Sequence, residues 1–256
     1  MIALLGNLSY DFLPGVPPRV GGAPFHAARA FQQLGTPGVI YARCAVEDRA
    51  ELLPPLVALG TPVHYVPGEH TAGFEISYEG DRRLMTVRSL GDTWLPAELP
   101  VLAEEVRWVH VGPLARTDFP AETLAAAARG RRLSLDGQGL VRPGATGLLE
   151  LDADFDPAVL RHVWVLKLSE EEAEVLGDLL ALGVRELLVT HGARGATVYS
   201  DGRVDHVPAF AIDRDPTVAG DAFCVSYLSA RSAGFAPAAA ARRATAVVAA
   251  MLAESG

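Results

Sequence analysis

Cysteine is nearly absent: Cys44 and Cys224 are the only two in 256 residues. That excludes a disulfide framework and a cysteine-built zinc site, and it reads as two buried thiols in a reducing cytoplasm. Basic runs are absent too. No stretch of Lys or Arg exceeds a pair, and 31 acidic against 22 basic residues leave a net charge of −9, so no nucleic-acid partner is expected. No apolar run reaches transmembrane length, and the short apolar opening Met1 to Leu5 carries no basic segment, so neither membrane association nor export is expected. The phosphate-binding Gly-x4-Gly-Lys-Ser/Thr loop, the dinucleotide Gly-x-Gly-x-x-Gly, the Gly-x-Ser-x-Gly elbow and His-Glu-x-x-His are all missing. The seven histidines, at 26, 64, 70, 110, 162, 191 and 206, have no metal-ligand spacing and read as scattered structural residues.

What is present is a chain 50% hydrophobic, punctuated by 25 glycines and 18 prolines, enough to bury one core as a single domain over 1–256. Residues 2 to 6 read as a buried strand, followed by a loop to Gly21-Gly22 and a helix ending at Gly35. Val39-Ile40-Tyr41 is the next strand. Pro54-Pro55 predicts two helical pieces rather than one over 47–59. From Thr61 to Arg88 the period falls to two (Val63 to Val66, Phe74 to Tyr78, Leu84 to Val87), which predicts an antiparallel flap within about 61–90, over a site or against another subunit, in part an edge of the main sheet. Alternation resumes with Trp108 to Val111, helix 120–130, strands 132–135 and 162–166, helix 169–181, strands 186–190, 196–199 and 203–207, and two alanine-rich helices. This order predicts an α/β fold whose mostly parallel sheet is covered on both faces, with ligands outside the carboxyl ends of the strands.

Polar residues concentrate where those strands end. Asp213 to Phe223 is a small-residue turn running into a helix. Unpaired N–H groups there suit a phosphate, and Asp221 beside them suits a base that takes a proton from an attacking hydroxyl, or is simply a helix cap. Asp11, following the first strand, can accept two hydrogen bonds from vicinal hydroxyls, a polyol-binding device, or can make an Asx turn. Lys167 stands at a strand end as a phosphate contact or a solvated lysine. Ser169-Glu170-Glu171-Glu172 is a capping box. Asp136-Gly137-Gln138-Gly139-Leu140-Val141-Arg142 is a polar, glycine-rich strand end that is either site or surface loop.

Asp215-Pro216-Thr217-Val218-Ala219-Gly220-Asp221-Ala222-Phe223 resembles the second signature of the ribokinase-like (PfkB) carbohydrate kinases, Asp-Thr-Thr-Gly-Ala-Gly-Asp-Ala-Phe, at seven of nine positions. Gly21-Gly22-Ala23-Pro24-Phe25-His26 resembles the first, with His26 where fructokinase-like members carry Asn. Asp136 to Arg142 and Thr71-Ala72-Gly73-Phe74 are similar to a myo-inositol-kinase-like branch. The resemblance implies a ribokinase-like three-layer αβα sandwich with a β flap as lid, and a kinase moving the γ-phosphoryl group of ATP to a small sugar or polyol. Asp221 is then the base, and Val218, Ala219 and Gly220 form the anion hole. Asp11, Gly21, Gly22, His26 and Arg142 bind the acceptor. Thr190, Gly192 and Gly195 of Thr-x-Gly-x-x-Gly, together with Lys167, bind ATP, and Glu172 faces Mg²⁺ through water. A trimmed flap implies a homodimer in which a second subunit completes the lid. The departures at Val218 and His26 keep open a second class, a binding or regulatory protein that retains the fold with weakened turnover.

Overall fold

The computed structural model describes residues 1–79, 82–209 and 219–254. In chain order the elements are β1 (Ile2–Asn7), β2 (Ser9–Phe12), β3 (Arg19–Gly21), α1 (Ala23–Leu34), β4 (Gly38–Ala45), α2 (Arg49–Val57), β5 (Val63–Gly68), β6 (Ala72–Glu79), β7 (Arg82–Ser89), β8 (Trp108–Gly112), α3 (Ala121–Ala127), β9 (Arg132–Asp136), α4 (Gln138–Val141), β10 (Gly147–Leu148), β11 (Val163–Ser169), α5 (Glu170–Leu176), β12 (Glu186–Thr190), β13 (Ala196–Ser200), β14 (Arg203–Val207), α6 (Ala219–Ser232) and α7 (Pro237–Glu254). A nine-stranded sheet runs β14-β13-β12-β11-β9-β8-β1-β4-β5. It is parallel from β12 to β5, and only the β12–β13 and β13–β14 pairs are antiparallel.

Pleating divides the apolar strands between two cores. Ile2 and Leu4 of β1 pack with α1, α6 and α7 on one face, while Ala3 and Leu5 pack with α3 and α5 on the other. That is the expected three-layer α/β sandwich. The carboxyl ends of β1, β8, β9 and β11, at Asn7, Gly112, Asp136 and Ser169, then fall along one edge.

A second, five-stranded sheet, β10-β7-β6-β2-β3, forms the flap. Its composition corrects the sequence reading. β5 is no part of it: Val63–Gly68 pairs in parallel with β4 at the edge of the main sheet. A half-exposed edge strand alternates as a flap strand does, so its period of two could not tell them apart. Conversely, the stretch read as a loop before Gly21 holds β2 and β3, too short to show a period, paired with β6 and with each other. At the flap root, Asp92 accepts the Glu69 and His70 amides at 2.6 and 3.1 Å and pairs with His70 Nδ1 at 2.8 Å, tying the chain entering the flap to the chain leaving it.

Two helix expectations are also corrected. α2 is one helix containing Pro54 and Pro55. The carbonyls that lose their donors, on Ala50 and Glu51, lie on exposed residues, where solvent is at hand to satisfy them. α5 stops at Leu176, not 181, because Gly177 at φ 71° turns the chain out of the helix.

Glu186, buried at the start of β12, accepts hydrogen bonds from Trp164 Nε1 (3.1 Å), Tyr227 Oη (2.5 Å) and Arg231 Nε (3.0 Å). It thereby fixes α6 lengthwise against the sheet, and with it whatever the first turn of α6 presents to the carboxyl edge. Glu186→Ala strands a largely buried guanidinium and a phenol hydroxyl together. We expect a loss of about 3 kcal/mol in unfolding free energy, read from guanidinium titrations of the two proteins.

Candidate active site

The carboxyl edge of the main sheet and the inner side of the flap enclose a cleft of about 130 Å³. Six groups give it its chemistry: Ser9, Asp11, His26, Asp136, Arg142 and Asp221. Phe74, Ile76 and Met85 of the flap close over them, with Leu114 from the body. Asp11 is on β2, where Ser9 Oγ donates to its Oδ1 at 3.1 Å. Gly21 is opposite Ser9 in the ladder, and a Cβ there would come within 2.5 Å of Asp11 Oδ2, so glycine makes room for the carboxylate. Gly22, at φ 91°, turns the chain into α1. His26 follows in the first turn of α1. Burial lowers its pKa, with help from Arg29 and against Asp11, so the imidazole is neutral. Its buried Nδ1 has no hydrogen-bond partner among the described residues.

Beneath the cleft lies a buried ion pair. Parallel pairing of β9 and β11 sets Asp136 opposite Lys167, and Lys167 Nζ donates to Asp136 Oδ2 at 3.1 Å. Lys167 is the only lysine of the sequence. Burial alone would raise the Asp136 pKa, but the ammonium, with the Gln138 amide and His110, holds it below the usual carboxylate range. Burial would likewise lower the Lys167 pKa, but Asp136, Glu172 and Asp221 together raise it. Its ammonium sits under the first turn of α6, where a Cβ on Gly220 would approach Nζ to 3.1 Å. Lys167 is thus a buried partner of carboxylates rather than a solvated side chain.

Asp221 opens on the cleft from that same turn. Part of its surface is exposed, yet dense surroundings and the charge of Asp136 push its pKa up to about 7, against the opposing pull of Lys167 and Arg142. Arg142, past the end of α4, holds its guanidinium 5.9 Å from the Phe74 ring centroid of the flap. The capping box of α5 is formed, with Ser169 N donating to Glu172 Oε2 at 2.7 Å and Glu172 N donating to Ser169 Oγ at 3.2 Å. Among the described residues no group of three or more His, Cys, Asp or Glu is arranged to hold a metal ion. The cation set among Asp136, Glu172 and Asp221 is Lys167. The residues present therefore do not fit a Mg²⁺ held by protein alone.

Sequence reasoning missed the Asp136–Lys167 pair, whose partners are 31 positions apart and meet only through strand register. It also missed Asp118, a buried carboxyl pushed up to about 7 by burial, which accepts the Leu114 amide at 2.8 Å and shapes the loop lining the cleft. No local pattern marks it. Thr190, Gly192 and Gly195, expected to meet ATP, do not line the cleft. Thr190 Oγ1 donates to Leu168 O at 3.2 Å, and a side chain on Gly195, at φ 98°, would collide with the Val207 carbonyl. Arg194, given no role from sequence, pairs with Glu170. Of the expected anion hole, Val218 lies outside the described residues, while Ala219 and Gly220 begin α6.

Comparison with known proteins adds to this geometry. The sequence profile of the pfkB family of carbohydrate kinases matches residues 19–256. The chain belongs to the PfkB family. Among its relatives, inositol 3-kinase of Zea mays is 32% identical over 197 residues, covering 73% of this chain and 49% of that protein. The chain thus spans about half the length of that relative. Fructokinase of Rhizobium leguminosarum bv. trifolii is 26% identical over 263 residues, covering 90% of this chain and 79% of that protein. The fold matches a solved pyrophosphate-dependent kinase of the ribokinase family, in complex with a pyrophosphate analog and myo-inositol, at a TM-score of 0.85 and 24% identity, covering 98% of this chain and 95% of that one. At 98% of this chain, that structural match spans both sheets.

Lys167→Met tests the ion pair without reference to turnover. In the parent, Asp136 has a depressed pKa, so its contribution to stability is present above the unfolded carboxylate pKa and lost in acid. In the variant, burial raises the Asp136 pKa, so stability falls as pH rises above the unfolded value. The variant should be less stable by about 3 kcal/mol at neutral pH, with the gap narrowing in acid. Denaturant titrations of both proteins at acidic and neutral pH measure it, and a gap independent of pH would mean that Asp136 and Lys167 are not coupled.

Proposed function

We propose that this chain transfers a phosphoryl group to a hydroxyl of a small polyol, a sugar or cyclitol, with Asp221 as general base. One observation carries the reading: a carboxylate with a pKa pushed up to about 7 faces the same cleft as Asp11 and the unmet Nδ1 of His26. A base is most useful when its pKa is near the working pH, where it is substantially unprotonated and still basic enough to take a proton. An ordinary exposed aspartate would be a far weaker acceptor.

The acceptor rests on Asp11, which takes hydrogen bonds from two hydroxyls, and on the neutral imidazole of His26, which suits a third. Asp221 removes the proton of the attacking hydroxyl. Backbone N–H groups of residues 218 to 221, with the dipole of α6, stabilise the charge on the phosphoryl group in flight, and Arg142, which lines the same cleft, adds a cation. Phe74, Ile76 and Met85 shut out water that would otherwise take the phosphoryl group. The donor in this reading is ATP, with Mg²⁺ arriving on its phosphates, and no step above depends on the metal.

A second reading of the donor, inorganic pyrophosphate, is favoured by two observations. Two of the residues expected to meet ATP are engaged within the sheet edge, Thr190 by its bond to the Leu168 carbonyl and Gly195 by its contact with the Val207 carbonyl. The solved kinase with a TM-score of 0.85 is described as pyrophosphate-dependent. A screen of myo-inositol, fructose, ribose and nucleosides against ATP and pyrophosphate in turn, read as phosphorylated acceptor, decides both acceptor and donor. No product with any pair would move the protein to the binding class.

Turnover found in that screen should rise with pH through an apparent pKa near 7, because Asp221 must lose its proton before it can act. Asp221→Asn should cut the rate by about 10²–10⁴-fold while leaving donor affinity in place. A variant with parental turnover, or a parental profile flat across neutrality, removes Asp221 from the role of base.

A further inference from the structure

The end of the sheet away from Asp221 is crowded with arginine. Arg107 directly precedes β8 and Arg132 opens β9, and the Arg132 amide donates to the Arg107 carbonyl at 3.0 Å, so the two side chains leave neighbouring strand ends. With Arg131, and with Arg231 from the last turn of α6, they line a cleft of about 480 Å³ that also takes in Trp108. Asp221 and Arg231 stand at opposite ends of α6, about 15 Å apart along its axis. This cleft is separate from the site described above.

Its charge is not balanced. Of the four arginines, only Arg231 makes a salt bridge among the described residues, with Glu186. Arg131 donates to the carbonyls of Arg129, Leu102 and Ala103, and its buried Nε has no partner among the described residues. Arg132 stands 5.4 Å and 4.6 Å from the ring centroids of Trp108 and Trp164. Arg107 is exposed. Arg107 and Arg132 have no carboxylate partner among the described residues, and Arg131, its terminal N–H groups held by carbonyls, adds a third positive charge to the same concavity on a protein whose net charge is −9. Like charges so gathered repel one another, and the repulsion is relieved by an anion with enough oxygens to meet several forks. Phosphate groups supply them, and a guanidinium lying on an aromatic face keeps its N–H edges available to in-plane acceptors.

We infer that the Arg107–Arg131–Arg132 cleft is a second, non-catalytic binding site for a small phosphate-bearing anion. Titration calorimetry of the full chain with inorganic pyrophosphate, at constant ionic strength, tests it in the parent and in the Arg107→Gln/Arg132→Gln variant. The donor site can take pyrophosphate as well, so the difference between the two proteins is what is read. The parent should bind one more pyrophosphate than the variant, or bind the cleft pyrophosphate at least about tenfold more tightly. Displacement of that pyrophosphate by glycerol phosphate marks the ligand as a phosphate monoester, and failure to displace it marks a free diphosphate. Arg107→Glu alone, at an exposed position, carries the test if the double variant does not fold. Equal stoichiometry and affinity in parent and folded variant overturn the proposal. Because the readout is binding, it stands or falls apart from the kinase reading.

Discussion

The ion pair between Asp136 and Lys167 is the constraint on which the carboxyl edge depends. Two charges withdrawn from water cost several kcal/mol each before their attraction is counted, and apolar side chains of equal volume would pack at least as stably. A pair kept in such a place serves electrostatics more than stability. The Lys167 ammonium holds Asp136 ionised, and ionised Asp136 helps to raise the pKa of Asp221. Lys167 also pulls that pKa down, so the value of about 7 is a balance between the two partners and the burial around them. Gly220 is small where Nζ passes beneath α6, and a Cβ there would come to 3.1 Å from it.

Below this layer the polar character continues into the core. His110 Nδ1 lies 3.2 Å from Ser134 Oγ and 3.6 Å from Cys224 Sγ, all three buried. Burial takes the histidine down to about 4 and the thiol up to about 12, so the group is neutral and joins β8, β9 and α6 by hydrogen bonds alone. Cys224 is one helical turn beyond Asp221. With Glu186 gripping Tyr227 and Arg231 farther along, α6 is held at its start, middle and end. A helix fixed at three points presents its first turn to the cleft with little freedom, and the phosphoryl transfer proposed for Asp221 would demand positioning of that kind.

Much of the fold was legible in the sequence, and particular residues show why. Short continuous apolar runs closed by a glycine, such as Ile2 to Leu5 before Gly6, read as strands buried on both faces, and glycines such as Gly35 end helices by their own backbone freedom, so the α/β order and the three layers follow from local chemistry. The flap was read less well. Ser9 to Phe12 and Arg19 to Gly21 are strands because β6 lies beside them, not because their own residues demand it, and Val63 to Gly68 joins the main sheet because β4 offers its edge. Short strands take their identity from a partner, and a partner distant in sequence leaves no local trace.

By itself the sequence determined the layer architecture, the family signatures around Gly21-Gly22 and Asp221, the capping box at Ser169, and the placement of Asp11, His26, Arg142 and Asp221 at strand or helix ends along one edge. It could do so because those features are set by backbone preferences and by side chains within a few residues of one another. Only the tertiary structure decided that Lys167 is a buried counter-ion to Asp136, that Asp221 titrates near neutrality, that Asp118 is a buried acid beside the cleft, and that Arg107, Arg131 and Arg132 gather at the far end. Each of these depends on distance and burial between residues far apart in the chain. Electrostatic energies fall off through space and strengthen as water is removed, and neither quantity is written in the order of residues.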